Sequence, residues 1–92
     1  MTSNEIQQQL QQLRFTHDKF AEYENTFRNT NYNGHDIEVM IDYYTVRLVL
    51  WYNVGRKVSK SYYVKTDIDD FANTEELIND FLTCMWKIYG VG

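Results

Sequence analysis

The pattern of apolar residues predicts an α+β fold of order α-β-β-β-α: a three-stranded antiparallel sheet with both helices on one face. Three observations predict it. Ile6, Leu10, Leu13, Phe20, Tyr23 and Phe27 recur at helical spacing in the first third of the chain. Ile37, Val39 and Ile41 are apolar at odd positions, whereas Val46, Leu48 and Leu50 are apolar at even ones. A strand has a side-chain period of two, so a turn must separate these two sets. Leu77, Ile78, Phe81, Leu82, Met85, Ile88 and Tyr89 then return to helical spacing.

For the first helix, Asn4-x-x-Gln7 has the form of a capping box. The stripe, with His17 filling its gap, carries that helix from Asn4 to Arg28, roughly 37 Å at the usual rise. Thr16-His17-Asp18 offers a competing N-cap that would divide it into two shorter helices. The run Asn29-Thr30-Asn31-Tyr32-Asn33-Gly34 is turn chemistry and ends it. A turn at Asp42–Thr45 then pairs Ile41 with Val46, Val39 with Leu48 and Ile37 with Leu50, all toward the core. A three-residue turn, Asn53-Val54-Gly55, pairs Leu50 with Val58, Val46 with Tyr62 and Tyr44 with Val64. Asn73-x-x-Glu76 caps the last helix; Glu75 and Glu76 complement its positive end, and Gly90 terminates it.

The 92 residues suit one domain, 1–92, with a single modest core in which a 16% aromatic content does much of the packing. The lone Cys84 excludes an internal disulfide and a multi-cysteine zinc site, and its apolar helical neighbours make it core filler. No segment has the apolar length of a membrane span or of a signal-peptide core, so a cytoplasmic setting is expected. His17 and His35 have no second ligand at metal spacing, and the four glycines are scattered singly rather than grouped as a phosphate loop. Asp67-x-Asp69 begins like a calcium loop, but Phe71, Ala72 and Ile78 occupy positions that need a ligand, a glycine and a glutamate. The sequence therefore predicts no enzyme, no metal and no cofactor.

Charge is segregated. Residues 43–65 hold five bases (Arg47, Arg56, Lys57, Lys60 and Lys65) and no acid, although the chain as a whole is net −4. The registers above put Asp36, Glu38, Met40, Arg47, Val49, Trp51, Lys57, Ser59, Ser61 and Tyr63 on the outer face of the sheet. Of these, Arg47, Trp51, Lys57 and Tyr63 form a candidate nucleic-acid contact, aromatic rings interleaved with cations. The plainer reading of the same face is cross-strand pairing, with Glu38 near Arg47 and Asp36 opposite Trp51, together with lysines that discourage edge pairing. Asp67, Asp69, Asp70, Glu75, Glu76 and Asp80 place six carboxylates in fourteen residues. They make either a solvated helix start or an acidic surface that docks on a basic partner.

The element order resembles that of double-stranded RNA-binding domains, across most of the chain. Their second helix begins with a lysine-rich phosphate clamp, where this one begins Asn73-Thr74-Glu75-Glu76, and their first hairpin loop carries Gly-Pro-x-His, where this one reads Asp42-Tyr43-Tyr44-Thr45. Duplex RNA binding is not expected. Size, acidity, element order and the Asp67–Asp80 carboxylates are similar to those of small phage-encoded inhibitor proteins, anti-CRISPR proteins among them. That resemblance implies a non-enzymatic binding protein that docks an acidic surface on a host or defence protein, including one that normally grips nucleic acid. A third possibility is a small structural homodimer. A continuous first helix would overhang strands of about 23 Å, leaving Ile6, Leu10 and Leu13 as a seam for a second copy; a helix broken near Thr16 would instead fold back and give a monomer.

Overall fold

The computed structural model describes residues 2–21, 25–42, 45–65 and 71–89, with side chains described throughout except at 62–65, 88 and 89. Its elements are α1 (Ser3–Gln12), β1 (Thr16–His17), β2 (Thr26–Tyr32), β3 (His35–Ile41), β4 (Val46–Val54), β5 (Lys57–Lys65) and α2 (Thr74–Tyr89). The α+β class and the single helix-covered face are as expected. The sheet has five strands rather than three, all antiparallel and in sequence order β1-β2-β3-β4-β5.

The main correction lies in the first third, where one helix was expected to reach Arg28. α1 has 10 residues and opens two residues earlier than expected, with Thr2 rather than Asn4 as its N-cap. Glu5 N–H donates to Thr2 Oγ1 at 3.2 Å, and Thr2 N–H donates to Glu5 Oε1 at 3.4 Å, a reciprocal capping box. It stops because Arg14 takes the left-handed conformation, φ 68°. Phe15 N–H then donates to Leu10 O at 2.9 Å and Arg14 N–H to Gln11 O at 3.0 Å, the bond pair of a Schellman termination. Phe15 drops into the core against Tyr32, ring centroids 5.6 Å apart. His17 sits on β1, tilted over Phe27 at 5.4 Å, and Phe27 sits on β2. Tyr23 lies outside the described residues, and Phe20 is 98% exposed.

The segment read as helix-ending turn is mostly strand β2. Only Asn33-Gly34 turns, with φ of 50° and 86°, the two positive values a type I′ hairpin needs. Asn31 Oδ1 accepts from Gly34 N–H at 3.1 Å and steadies that turn. A one-residue bulge between Asn29 and Tyr32 lets Phe27 and Tyr32 both reach the core although they are five positions apart, an odd spacing.

The β3–β4 hairpin has the expected registers: Ile41↔Val46, Val39↔Leu48 and Ile37↔Leu50. The β4–β5 register does not. β4 continues through Val54, and the turn has two residues, Gly55 and Arg56, so Val54 pairs with Lys57 and Leu50 with Ser61 rather than Val58. Gly55 at φ 61° occupies the first central position, which suits a type II′ turn. A shift by an odd number of residues exchanges the two faces of β5. Ser61 is therefore buried on the helix side, and Val58, expected in the core, is 69% exposed. Val46 pairs with Lys65 instead of Tyr62, and Val64 pairs with Arg47; Tyr44 and the side chains of Tyr62 and Val64 lie outside the described residues.

α2 begins as expected. Glu76 N–H donates to Asn73 Oδ1 at 2.9 Å, although the returning Glu76 carboxylate accepts from Ala72 N–H, one residue before the cap. The start of α2 is tied to the second half of α1 by Gln9, whose Oε1 accepts from both Thr74 N–H and Thr74 Oγ1 at 2.6 Å. Leu77, Ile78, Phe81 and Met85 close on Ile37, Val39, Ile41, Val46, Leu48 and Leu50, with Ile6 and Leu10 beside them. Gly90, expected to end the helix, lies outside the described residues.

The expected seam is thereby spent within the chain. Ile6 and Leu10 are fully buried against their own sheet, and Leu13 packs half-buried at the margin of the same core. A helix of this length has no overhang to offer a second copy. Leu10→Ala should lower the unfolding free energy by about 2–5 kcal/mol, as a large-to-small change at a fully buried site does. Leu10→Glu should abolish cooperative urea unfolding, not separate two folded chains. A folded Leu10→Glu protein would contradict this placement.

Candidate functional site: the open face of the sheet

Because both helices cover one face, the opposite parity of every strand forms an open face. It carries Thr26 and Arg28 from β2, Asp36, Glu38 and Met40 from β3, Arg47, Val49 and Trp51 from β4, and Val58 and Lys60 from β5. At its centre is Trp51. Arg28 reaches across β3 to place its guanidinium carbon 5.0 Å from the ring centroid, and Lys60, paired directly with Trp51 on β5, brings its ammonium to 5.0 Å as well. Cations at this distance from an indole are attracted by its ring quadrupole.

Asp36, directly opposite Trp51, holds Arg28 with two parallel bonds: Nε to Oδ1 at 3.0 Å and Nη2 to Oδ2 at 2.8 Å. This fork geometry is the strongest form of the pair. The Asp36 hydrogen bond raises the Arg28 pKa, against burial, which lowers it. Glu38 lies half-buried between these groups. Burial pushes its pKa above the ordinary value of 4.5, and Asp18 adds to the rise, while Arg28, Trp51 and Lys60 oppose it. Trp51 Nε1 is buried and makes no hydrogen bond of ordinary geometry, so its effect on Glu38 is that of a close dipole. Val49 is only 1% exposed although no described element covers it.

The expected nucleic-acid quartet is not assembled. Arg47 and Trp51 share the open face as predicted, but the shifted β5 register moves Lys57 to the opposite parity at the exposed hairpin end, and sets Tyr63 opposite Leu48. Ser59 and Ser61 leave the open face with them; Ser61 Oγ lies 3.1 Å from Tyr52 Oη on the helix side. Val58 and Lys60 take their places. Arg28 was hidden by the helical reading of its segment, and Asn33-Gly34 between two β-branched and aromatic runs was the signal that places it on a strand. The plainer reading of the face, cross-strand pairing, is realised for Asp36 opposite Trp51.

Of the acidic run, Asp67, Asp69 and Asp70 lie outside the described residues. Glu75 and Glu76 are exposed in the first turn of α2, and Asp80 is half-buried. Glu75 stands near enough to Tyr32 to raise its pKa, second to burial. Among the described residues no three His, Cys, Asp or Glu are grouped as a metal site, and no helix is long and apolar enough to cross a membrane. Cys84 is half-buried on α2.

The sign of the Glu38 shift makes a prediction. A carboxyl whose folded pKa is raised binds its proton more tightly when folded, so its contribution to stability is full below the unfolded pKa and is lost as pH rises through the folded one. Glu38→Gln should therefore unfold at higher urea concentration than the parent at pH 7, and the advantage should vanish as pH falls below 4.5. Urea titrations at several pH values check this; a less stable Glu38→Gln at neutral pH would show that attraction to Arg28 and Lys60 outweighs burial.

No protein-family model matches the chain, and neither the curated proteins nor the solved structures compared with it give a significant match.

Proposed function

We propose that this chain is a non-enzymatic binding protein, an accessory inhibitor of the kind encoded by phages and mobile elements, which docks the acidic start of α2 on a basic surface of another protein. The support is the way Glu75 and Glu76 are presented. They stand exposed on a first turn fixed from three sides: Asn73 caps it, Thr74 is buried and bonded to Gln9 of α1, and Leu77 is fully buried beneath it. Carboxylates on a fixed turn lose little freedom on docking, and opposite charge on a partner accelerates encounter. Glu76 divides its role, since it also accepts from Ala72 N–H.

The alternative, a nucleic-acid module on the open face, meets two obstacles. A base stacking on Trp51 would compete with Arg28 and Lys60 for the ring, and the Asp36 and Glu38 carboxylates beside it would repel phosphate.

Affinity capture followed by binding kinetics on the identified partner tests the proposal. Glu75→Lys with Glu76→Lys should slow association about tenfold or more, and added salt should weaken the parent toward the variant. Unchanged affinity would overturn the docking surface. Tight single-stranded oligonucleotide binding that Trp51→Ala weakens by about 1–3 kcal/mol would put the alternative in its place.

A further inference from the structure

The two edges of the sheet differ in kind. β1 has two residues and β2 behind it is bulged, so that edge is short and irregular. β5 forms the other edge, nine residues long, paired to β4 without a break from Val54↔Lys57 to Val46↔Lys65. Short strands, bulges, prolines and charged side chains, lysine above all, protect a sheet edge; of these β5 has only its lysines, and the chain contains no proline. Every second residue of an antiparallel edge strand directs its N–H and C=O away from its one neighbour. Among the described residues no strand takes these groups up.

We propose that β5 is a docking edge for an extended, acidic segment of another protein, which adds to the sheet as a further antiparallel or parallel strand. Charge selects this occupant. Arg56, Lys57, Lys60 and Lys65 lie in or beside the strand, with no acid anywhere from residue 43 to 65. The same charges oppose a second copy of this chain: antiparallel pairing centred on Ser61 sets Lys57 opposite Lys65, and like charges directly opposite destabilise a strand pair. Lysines that guard the edge against itself attract a segment of opposite sign.

The open face adds side-chain selectivity. Val58 and Lys60 lie on it, Val58 largely exposed and Lys60 beside Trp51. An added strand sets its alternate side chains next to these two, so the fitting segment carries a carboxylate near Lys60 and an apolar residue near Val58. Backbone bonds supply affinity and the alternate side chains supply choice, as in strand addition generally. This edge is a different surface from the acidic start of α2, and the inference goes beyond the docking proposed there.

The test uses the full chain, isotope-labelled and titrated with a decapeptide built on the repeat Glu-Glu-Val-Val, which sets carboxylate and apolar side chains in turn along each face of an extended strand. Amide shifts should concentrate on β5. A peptide N-methylated at alternate residues, unable to complete the ladder, should bind about tenfold more weakly or worse. Lys57→Glu, an exposed change at the hairpin end, should weaken binding several-fold while leaving urea unfolding nearly unchanged. Equal binding of the N-methylated peptide, shifts confined to other elements, or no binding at millimolar peptide would each overturn the proposal. So would sedimentation showing a dimer whose outward β5 amides are protected from hydrogen exchange, which would make a second copy the occupant.

Discussion

The pairing of β3 with β4 is the constraint on which the other elements depend. Ile37, Val39 and Ile41 lie directly opposite Leu50, Leu48 and Val46, and all six are buried. A slip of one residue would turn each of them to the other face, so this hairpin decides which side the helices must cover. α1 and α2 then have one place to put Ile6, Leu10, Leu77, Ile78 and Phe81. The face left over has to accommodate its own charged groups. It does so with a two-bond Arg28–Asp36 pair and with cations held against Trp51, interactions that need neither a covering helix nor a dry interior.

Elements specified by one local period were readable from the sequence, and elements that needed a choice between periods were not. The change of parity between Ile41 and Val46 admits a single turn, and the resulting registers are those observed. Asn73-x-x-Glu76 followed by a continuous apolar stripe likewise has one solution. By contrast, Phe20 and Phe27 suit a helical stripe and Phe27 equally suits a strand, so the period alone does not decide between them. The deciding residues were Asn33-Gly34, whose turn closes a hairpin, and Arg14, whose left-handed conformation ends α1 without the glycine that usually announces such an end. An arginine there costs about 1 kcal/mol relative to glycine, and nothing in its identity marks the site.

The candidate site was readable in part for a related reason. Trp51 and Arg47 follow from β4 alone, but the partners of Trp51 come from strands on either side. Lys60 meets it only because β4 runs two residues past Tyr52, through Val54, before turning at Gly55 and Arg56. Arg28 meets it only because β2 exists. Contacts across a sheet depend on every intervening register, and a shift by an odd number of residues, as at β5, replaces one set of side chains with its complement.

Charge segregation survives this uncertainty because hairpins are contiguous in sequence. The basic stretch from residue 43 to 65 contains the β4–β5 hairpin, so whatever its register, its cations belong to the half of the sheet that these two strands form. β3 meanwhile contributes Asp36 and Glu38 to the middle of the open face. The face therefore runs from acidic at β3 to basic at β5, with Trp51 on β4 at the boundary. Arg28 is the exception that makes this arrangement stable: a cation from β2 reaches over β3, neutralises Asp36 and lowers the cost of burying Glu38. With the acids of β3 engaged in this way inside the fold, the lysines of β5 remain the dominant charge at the sheet's long edge.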